Sequence, residues 1–305
     1  MEGGRHTGER VEPMTDYRAF RDDTAGRTTR AVAELTRRSK PAVVGASLVL
    51  LLVLLSILAP VVAPYDPLEM DMPARLQPPT ADHILGTDNF GRDLFTRLVF
   101  GARISLVVGL SSVGAAVLIG IAIGLATGYF GGKVDLGLMR VVDVVLAFPS
   151  ILLSLALVSV LGAGVGSVIL AVGLVQWTSY ARVVRASTLA LKEEDFVLAA
   201  RAVGVPTHRI VLRHILPNAV APVVVLATLG IGYAITAEAA LSFLGLGVPP
   251  PTPSWGATLA FGLYFLRDTP YLATFPGLAI ALTVLGFNLL GDGLRDIGDP
   301  RLRHA

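Results

Sequence analysis

The chain contains no cysteine in its 305 residues. That excludes a disulfide framework, a thiol nucleophile and any cysteine-based metal site. Charge is also scarce: 16% of residues are Asp, Glu, Lys or Arg, against 53% hydrophobic, and mean hydropathy is +0.67. A soluble domain of this length carries more charge and fewer apolar runs. Histidines number five, and only His208 and His214 lie close together. Their spacing does not bring them onto one helix face, so no metal site follows. The motifs H-E-x-x-H, G-x-S-x-G and G-x-x-x-x-G-K-[ST] are all missing. The segment "GAGVGS", Gly162 to Ser167, follows no strand and precedes no lysine, so it reads as a turn and not a phosphate loop. No catalytic residue, cofactor site or metal site is expected in this chain. A net charge of +2 and a pI near 9.0 give no argument for nucleic acid.

Long apolar runs are what the chain has instead. Pro41 to Ala63, "PAVVGASLVLLLVLLSILAPVVA", carries no charge. As a helix it spans roughly 34 Å at ~1.5 Å per residue, enough for a hydrocarbon core of about 30 Å. It begins too late and runs too long for a cleavable signal peptide. Six candidate spans follow: Pro41–Ala63, Ile104–Gly128, Met139–Leu161, Val165–Val184, Ala219–Leu246 and Ala273–Leu290. Asp143 and Pro149 weaken the third, and Gln176 and Trp177 the fourth. The fold expected is therefore an all-α integral membrane protein with six transmembrane helices.

Orientation follows from the basic residues. With the N-terminus inside, segments 1–40, 129–140, 182–218 and 291–305 hold 20 of the 25 Lys and Arg residues. Arg37, Arg38, Lys40, Lys133, Arg182 and Arg185 flank spans closely, where the positive-inside rule weighs most. Both termini are expected in the cytoplasm. The tail 1–40 is mixed in charge and poor in aromatics, and reads as disordered; Met1 and Met14 are both candidate starts. A second short tail occupies 298–305. The outer loop 64–103 is rich in Pro and Asp, which favours turns. Its end, "RDLFTRLVFGARISL", is either an interfacial helix, with Leu94, Phe95, Leu98, Val99 and Ala102 near one face, or the plain start of the second span.

Inside the spans, Ala116, Gly120, Gly124 and Gly128 recur every four residues. Small residues on one face let two helix backbones approach closely, so a packing seam is expected, with no partner named. Glu238, in "AITAEAALSF", is the notable intramembrane acid. Charge at the centre of a span costs about 2.5–3.5 kcal/mol on insertion scales, so this side chain should face the bundle interior. It is either a translocation-path or gate residue, or a partner in an interhelical hydrogen bond.

The stretch "LAARAVGVPTHRIVLRHILPN", Leu198 to Asn218, is basic and broken by glycine between apolar segments. A helix from about Leu189 into Val203 should end at Gly204, in the left-handed position that closes a helix. Pro206 suits the first turn of a second helix, and Pro217 marks that helix's end. Ile210, Val211 and Ile215 are apolar, while Arg209 and Arg213 are four apart. A short helical finger with an apolar side is a docking element; the plainer alternative is a solvated basic loop.

This stretch resembles the EAA loop of ABC-transporter permeases from binding-protein-dependent importers. Ala199, Ala200, Gly204, Leu216 and Pro217 match its pattern, while Leu198 stands where the family has Glu and His214 where it has Ile. Leu85–Leu106, Arg140–Leu155, Ala237–Gly256 and Gly291–Arg301 resemble the C-type permeases of the dipeptide/oligopeptide/nickel group, and the likeness covers about residues 30–303. The resemblance implies a type I importer permease with a core over 104–297 and an ATPase-coupling loop over 189–218. It implies a bacterial or archaeal cell membrane as the location. The partners implied are a B-type permease, two ATPases that bind ATP and Mg, and an extracytoplasmic solute-binding lipoprotein. Arg209 and Arg213 would pair with acidic partner residues. Peptides are the implied cargo, with nickel, glutathione or another small solute as alternatives. A secondary transporter or channel would instead show internal repeats and broken helices, of which the sequence offers little. An intramembrane enzyme lacks a nucleophile or metal set.

Overall fold

The structure is a computed structural model that describes residues 40–298. The expectations for the two tails and for the start codon therefore lie outside the described residues, apart from the inner edge of each tail. Among the described residues every regular element is helical, and the only pairing of extended chain is an isolated bridge between Thr87 and Asp93.

Among the described residues five helices are long and apolar enough to cross a membrane. They are α1 (Lys40–Val62), α2 (Leu94–Phe130), α5 (Val165–Leu191), α7 (Thr207–Phe243) and α9 (Tyr271–Gly298). The third expected span is not one straight helix. It is split into α3 (Gly132–Leu146) and α4 (Ser150–Leu161), bent by 91°. Pro149 lies at the break and starts α4, because it has no N–H to continue the helix and biases Phe148 away from helical backbone. Short helices α6 (Asp195–Ala202) and α8 (Trp255–Tyr264) complete the bundle.

Helix α2 starts ten residues before the expected second span. The Asp93 carboxylate accepts the Thr96 N–H at 2.7 Å and so caps a helix that runs unbroken for 37 residues. There is no separate interfacial helix: Leu94, Val99 and Ala102 are buried, and so is Arg97. The loop before it is ordered against the end of the bundle. Arg92 Nε donates to Asp88 at 2.7 Å with both side chains buried, Arg97 donates to the Pro67 carbonyl at 3.0 Å, and the Tyr271 hydroxyl donates to the Gln77 carbonyl at 2.7 Å.

The core is built on α2 against α5, with α7 across both and α9 joined to α1, α7 and α8. Glycine sets the closest approaches. A Cβ on Gly124 would stand 2.6 Å from the Val184 Cβ, and one on Gly128 2.6 Å from the Thr188 Cβ; at Gly120 it would overlap Tyr180. The four-residue glycine stripe of α2 thus lies against Tyr180, Val184 and Thr188 of α5. Helix α1 packs on α9 through Gly45, where a Cβ would meet the Leu290 N at 2.5 Å. Its other face leaves Leu50, Leu51, Ile57 and Val61 exposed, as expected of a helix against lipid.

Candidate functional site

Two places carry the residues singled out by sequence: the finger at one end of α5 and α7, and the carboxylate of Glu238. The finger is shorter at its start than expected. Helix α5 ends at Leu191, and α6 begins afresh at Asp195. Glu193, Glu194 and Asp195 gather at the new N-terminus, where negative charge is favoured.

Helix α6 closes on Gly204, whose φ is +79°. The Gly204 N–H donates to the Arg201 carbonyl at 3.0 Å, and the Val205 N–H to the Ala200 carbonyl at 3.0 Å. This is the paired closure of a Schellman motif, which needs a left-handed residue between the two bonds. Nothing lies within 4 Å of a Cβ placed on Gly204, so backbone conformation alone selects glycine there. Pro206 is the N-cap of the helix that begins at Thr207 and does not lie within its first turn.

From Thr207 the helical path continues without a stop into α7. Pro217 does not end it; Val211–Ile215 widens into π-helix, with the Leu216 N–H donating to the Val211 carbonyl. Loosening the turn ahead of a proline removes the clash that its ring makes with the preceding carbonyls. The second half of the finger, from Thr207, and the span are one continuous helix, while α6 is joined to them through the turn at Gly204.

The finger is anchored by Val197, Ala200, Ile210 and Ile215, all buried in the main core cluster. Arg201 lies over the Tyr129 ring at 5.2 Å. Its outer surface shows Phe196, Leu198, Val203 and Leu212, with Val203 80% exposed, and Ala199, Arg209 and Arg213 exposed beside them. Leu216 is half-buried and Pro217 exposed. The surface is thus an apolar patch rimmed by arginines, residue types that are enriched at protein–protein contacts.

Sequence reasoning missed how the finger's base is braced. Arg185 donates to both oxygens of Asp135 at 2.6 Å, and Arg182 to Asp143 at 2.6 Å. Both pairs join α5 to α3. In the sequence the two arginines signal only topology, and Asp143 only weakens a span, because their pairing depends on how α5 crosses α3.

Glu238 is fully buried. Three hydroxyls donate to it: Ser242 at 2.8 Å and Ser254 at 3.1 Å to Oε1, and Ser105 at 3.2 Å to Oε2. They come from α7 itself, the cap of α8, and α2. The carboxylate therefore ties three elements at one end of the bundle. The Ser242 hydroxyl also accepts the Val248 N–H at 3.2 Å, so the following loop is drawn into the same network.

Known proteins decide the family. Residues 120–304 match the model described as "binding-protein-dependent transport system inner membrane component". The chain belongs to that family. Residues 35–79 of the permease also match the N-terminal transmembrane domain of oligopeptide transport permease C. It is 45% identical over 267 residues to the dipeptide transport system permease protein DppC of Alkalihalophilus pseudofirmus, covering 88% of each chain. It is 46% identical over 268 residues to the glutathione transport system permease protein GsiD of Escherichia coli, again covering 88% of each. It is also 43% identical over 273 residues to the di/tripeptide permease DppC of Pseudomonas aeruginosa, covering 88% of this chain and 90% of that one. Among solved structures, a chain of the MetNI methionine ABC transporter shares its fold, with a TM-score of 0.54 at 20% identity, over 66% of this chain and 96% of that one. The permease is thus a multi-pass, all-helical translocation component of an ABC importer.

Proposed function

We propose that this permease imports short peptides across a bacterial cell membrane, as one half of a channel completed by a B-type permease. Two ATPases that bind ATP and Mg, and a solute-binding lipoprotein outside the membrane, complete the assembly. Both termini and the finger face the cytoplasm. The peptide cargo is supported by the names of the DppC relatives, and glutathione, itself a tripeptide, stands second through GsiD.

The observation that carries the mechanism is the Schellman closure at Gly204 followed by a helix that runs from Thr207 without interruption into the span. Phe196, Leu198, Ala199, Val203 and Leu212 enter a groove on one ATPase, and Arg209 and Arg213 pair with acids on its rim. When ATP closes the ATPases, the finger moves as a lever and α7 tilts with it, exchanging inward and outward access. Leu198 replaces the family's Glu, so on this chain an apolar contact takes the place of an acidic one.

Co-purification of the tagged permease from its own host in mild detergent tests the assembly. A pair of P-loop ATPases, a second permease and a lipoprotein with a bound peptide is the expected set. Purification alone or as a homo-oligomer, with no ATPase in any mild detergent, defeats the proposal.

A further inference from the structure

At the end of the bundle away from the finger, a cavity of about 100 Å³ lies between the loop before α2, the first turn of α2, α8 and the start of α9. Two arginines line it. Arg92 is 5% exposed and Arg97 6%, and Asp88, 4% exposed, is the one carboxylate in the lining among the described residues. Phe90, Pro250, Ala257, Phe261 and Leu272 make the rest of the wall largely apolar. A buried charge is costly unless it is paired and its hydrogen bonds are met.

Asp88 does not meet both guanidiniums. Its Oδ1 accepts the Phe90 N–H at 2.8 Å and the Arg92 N–H at 3.0 Å, and its Oδ2 accepts Arg92 Nε at 2.7 Å. Arg97 Nε stands 3.5 Å from that Oδ2, yet it is buried without a hydrogen bond. Arg97 Nη1 donates to the Pro67 and Pro251 carbonyls at 3.0 and 3.4 Å, which bring no negative charge. Arg92 Nη1 and Nη2 and Arg97 Nη2 donate to no group among the described residues. The Arg92 guanidinium lies over the Phe90 ring at 4.7 Å, so one of its faces is covered and its N–H edges are left for an acceptor. Asp93 is taken up elsewhere, by His83 at 3.0 Å and the Thr96 N–H at 2.7 Å.

One small space is thus bordered by two guanidiniums, one committed carboxylate and several N–H groups without acceptors. An oxyanion with more than one acceptor oxygen is the complement, and arginine pairs with phosphate through parallel N–H···O bonds. The volume suits a single phosphate group and falls short of the about 300–1,000 Å³ of a site for a whole small molecule. Depth points to the carrier. Leu272 belongs to the first turn of α9, so the cavity sits where a span leaves the hydrocarbon, at headgroup level. Phe261, Leu263 and Tyr264 of α8 and Leu266 beyond it are exposed, the aromatic and apolar composition of a membrane interface. We infer that this cavity is a phospholipid site, in which Arg92 and Arg97 hold the headgroup phosphate and the acyl chains leave past Phe261. In the proposed orientation the lipid belongs to the outer leaflet. The site depends on neither the cargo nor the partners of the permease.

The test uses the transporter complex purified from its host in mild detergent and stripped of lipid, with binding to this chain titrated by native mass spectrometry. The probes are 1-palmitoyl-2-oleoyl phosphatidylglycerol, the diacylglycerol with the same chains, and inorganic phosphate. Phosphatidylglycerol is expected to bind at one site, and both other probes at least about tenfold more weakly. Thr252→Asp sets a carboxylate into the same cavity, and Arg92→Gln removes one guanidinium. Each should weaken phosphatidylglycerol binding at least about tenfold, as for a lost charge-assisted hydrogen bond. Thr252→Asp supplies an anion from the chain itself, so it is expected to keep the melting temperature of the complex and guards against a folding failure of Arg92→Gln. Equal affinity for inorganic phosphate overturns the lipid assignment. Undiminished phosphatidylglycerol binding by folded Thr252→Asp overturns the site. Wild-type binding of phosphatidylglycerol no tighter than of the diacylglycerol also overturns it, in favour of a carboxylate from another subunit.

Discussion

The Val205 amide donates to the Ala200 carbonyl at 3.0 Å, closing α6 around Gly204 at φ +79°. That bond sets the direction in which α7 leaves the finger. On the proposed lever, a change to it alters how a push on the finger reaches the span.

Replacing Gly204 separates conformation from bulk. A non-glycine residue in this region costs roughly 1–2 kcal/mol, more for a β-branched one, whereas Asn tolerates it. Gly204→Val is expected to leave the complex in the membrane with ATP hydrolysis but to cut uptake at least about tenfold, and Gly204→Asn to retain most transport. Full uptake by Gly204→Val would remove the finger from the mechanism.

The α2–α5 seam can be probed by two glycines of the same helix. Gly124→Leu drives a side chain into Val184, where even a Cβ stands at 2.6 Å. Overpacking of this kind costs about 1–3 kcal/mol or more. Gly114 has nothing within 4 Å of its Cβ position, so Gly114→Ala is expected to be neutral or to stabilise. Thermal unfolding of the detergent-solubilised permease, followed by fluorescence-detected gel filtration, should rank them in that order.

Glu238 discriminates between a clasp and a gate. Glu238→Gln keeps an acceptor oxygen for Ser242 and Ser254 and an amide that can donate to the Ser105 hydroxyl, and is expected to fold and transport. Glu238→Leu leaves the hydroxyls of Ser105, Ser242 and Ser254 buried without an acceptor, at about 1–3 kcal/mol each, and should accumulate poorly. A Glu238→Gln permease that folds and assembles as wild type yet fails to transport would make the charge itself part of the path.

The brace between α5 and α3 should show measurable coupling. Arg185 and Asp135 are two-thirds or more buried and joined by two bonds of 2.6 Å, whereas Arg182 and Asp143 are each more than half exposed. A double-mutant cycle on thermal stability is expected to give about 1 kcal/mol for the first pair and close to zero for the second. Equal couplings would contradict the assignment of the first pair as the structural one.

Several elements were legible in the chain itself for identifiable reasons. Runs without charge located the spans, because lipid admits little else. Gly204 announced a helix closure, and the glycines of α2 a close approach, because each depends on a missing Cβ. The small-residue period could not name Val184 and Thr188 as the partners, since the pairing depends on how two distant helices cross. Pro217 misled because proline's local cost is absorbed by a π-turn, and the burial of Arg97 is not legible because its hydrogen-bond acceptors, the Pro67 and Pro251 carbonyls, lie far away in the sequence.

Length, hydropathy and ordered motifs alone thus determined a helical membrane protein of the permease family, since those features act through local chemistry and lipid solvation. Tertiary structure decided the rest. It gathered Ser105, Ser242 and Ser254 around Glu238, laid Gly124 and Gly128 against Val184 and Thr188, and paired Arg185 of α5 with Asp135 of α3. Each of those arrangements joins residues far apart along the chain, and only the packing of one helix on another brings such groups within hydrogen-bond reach.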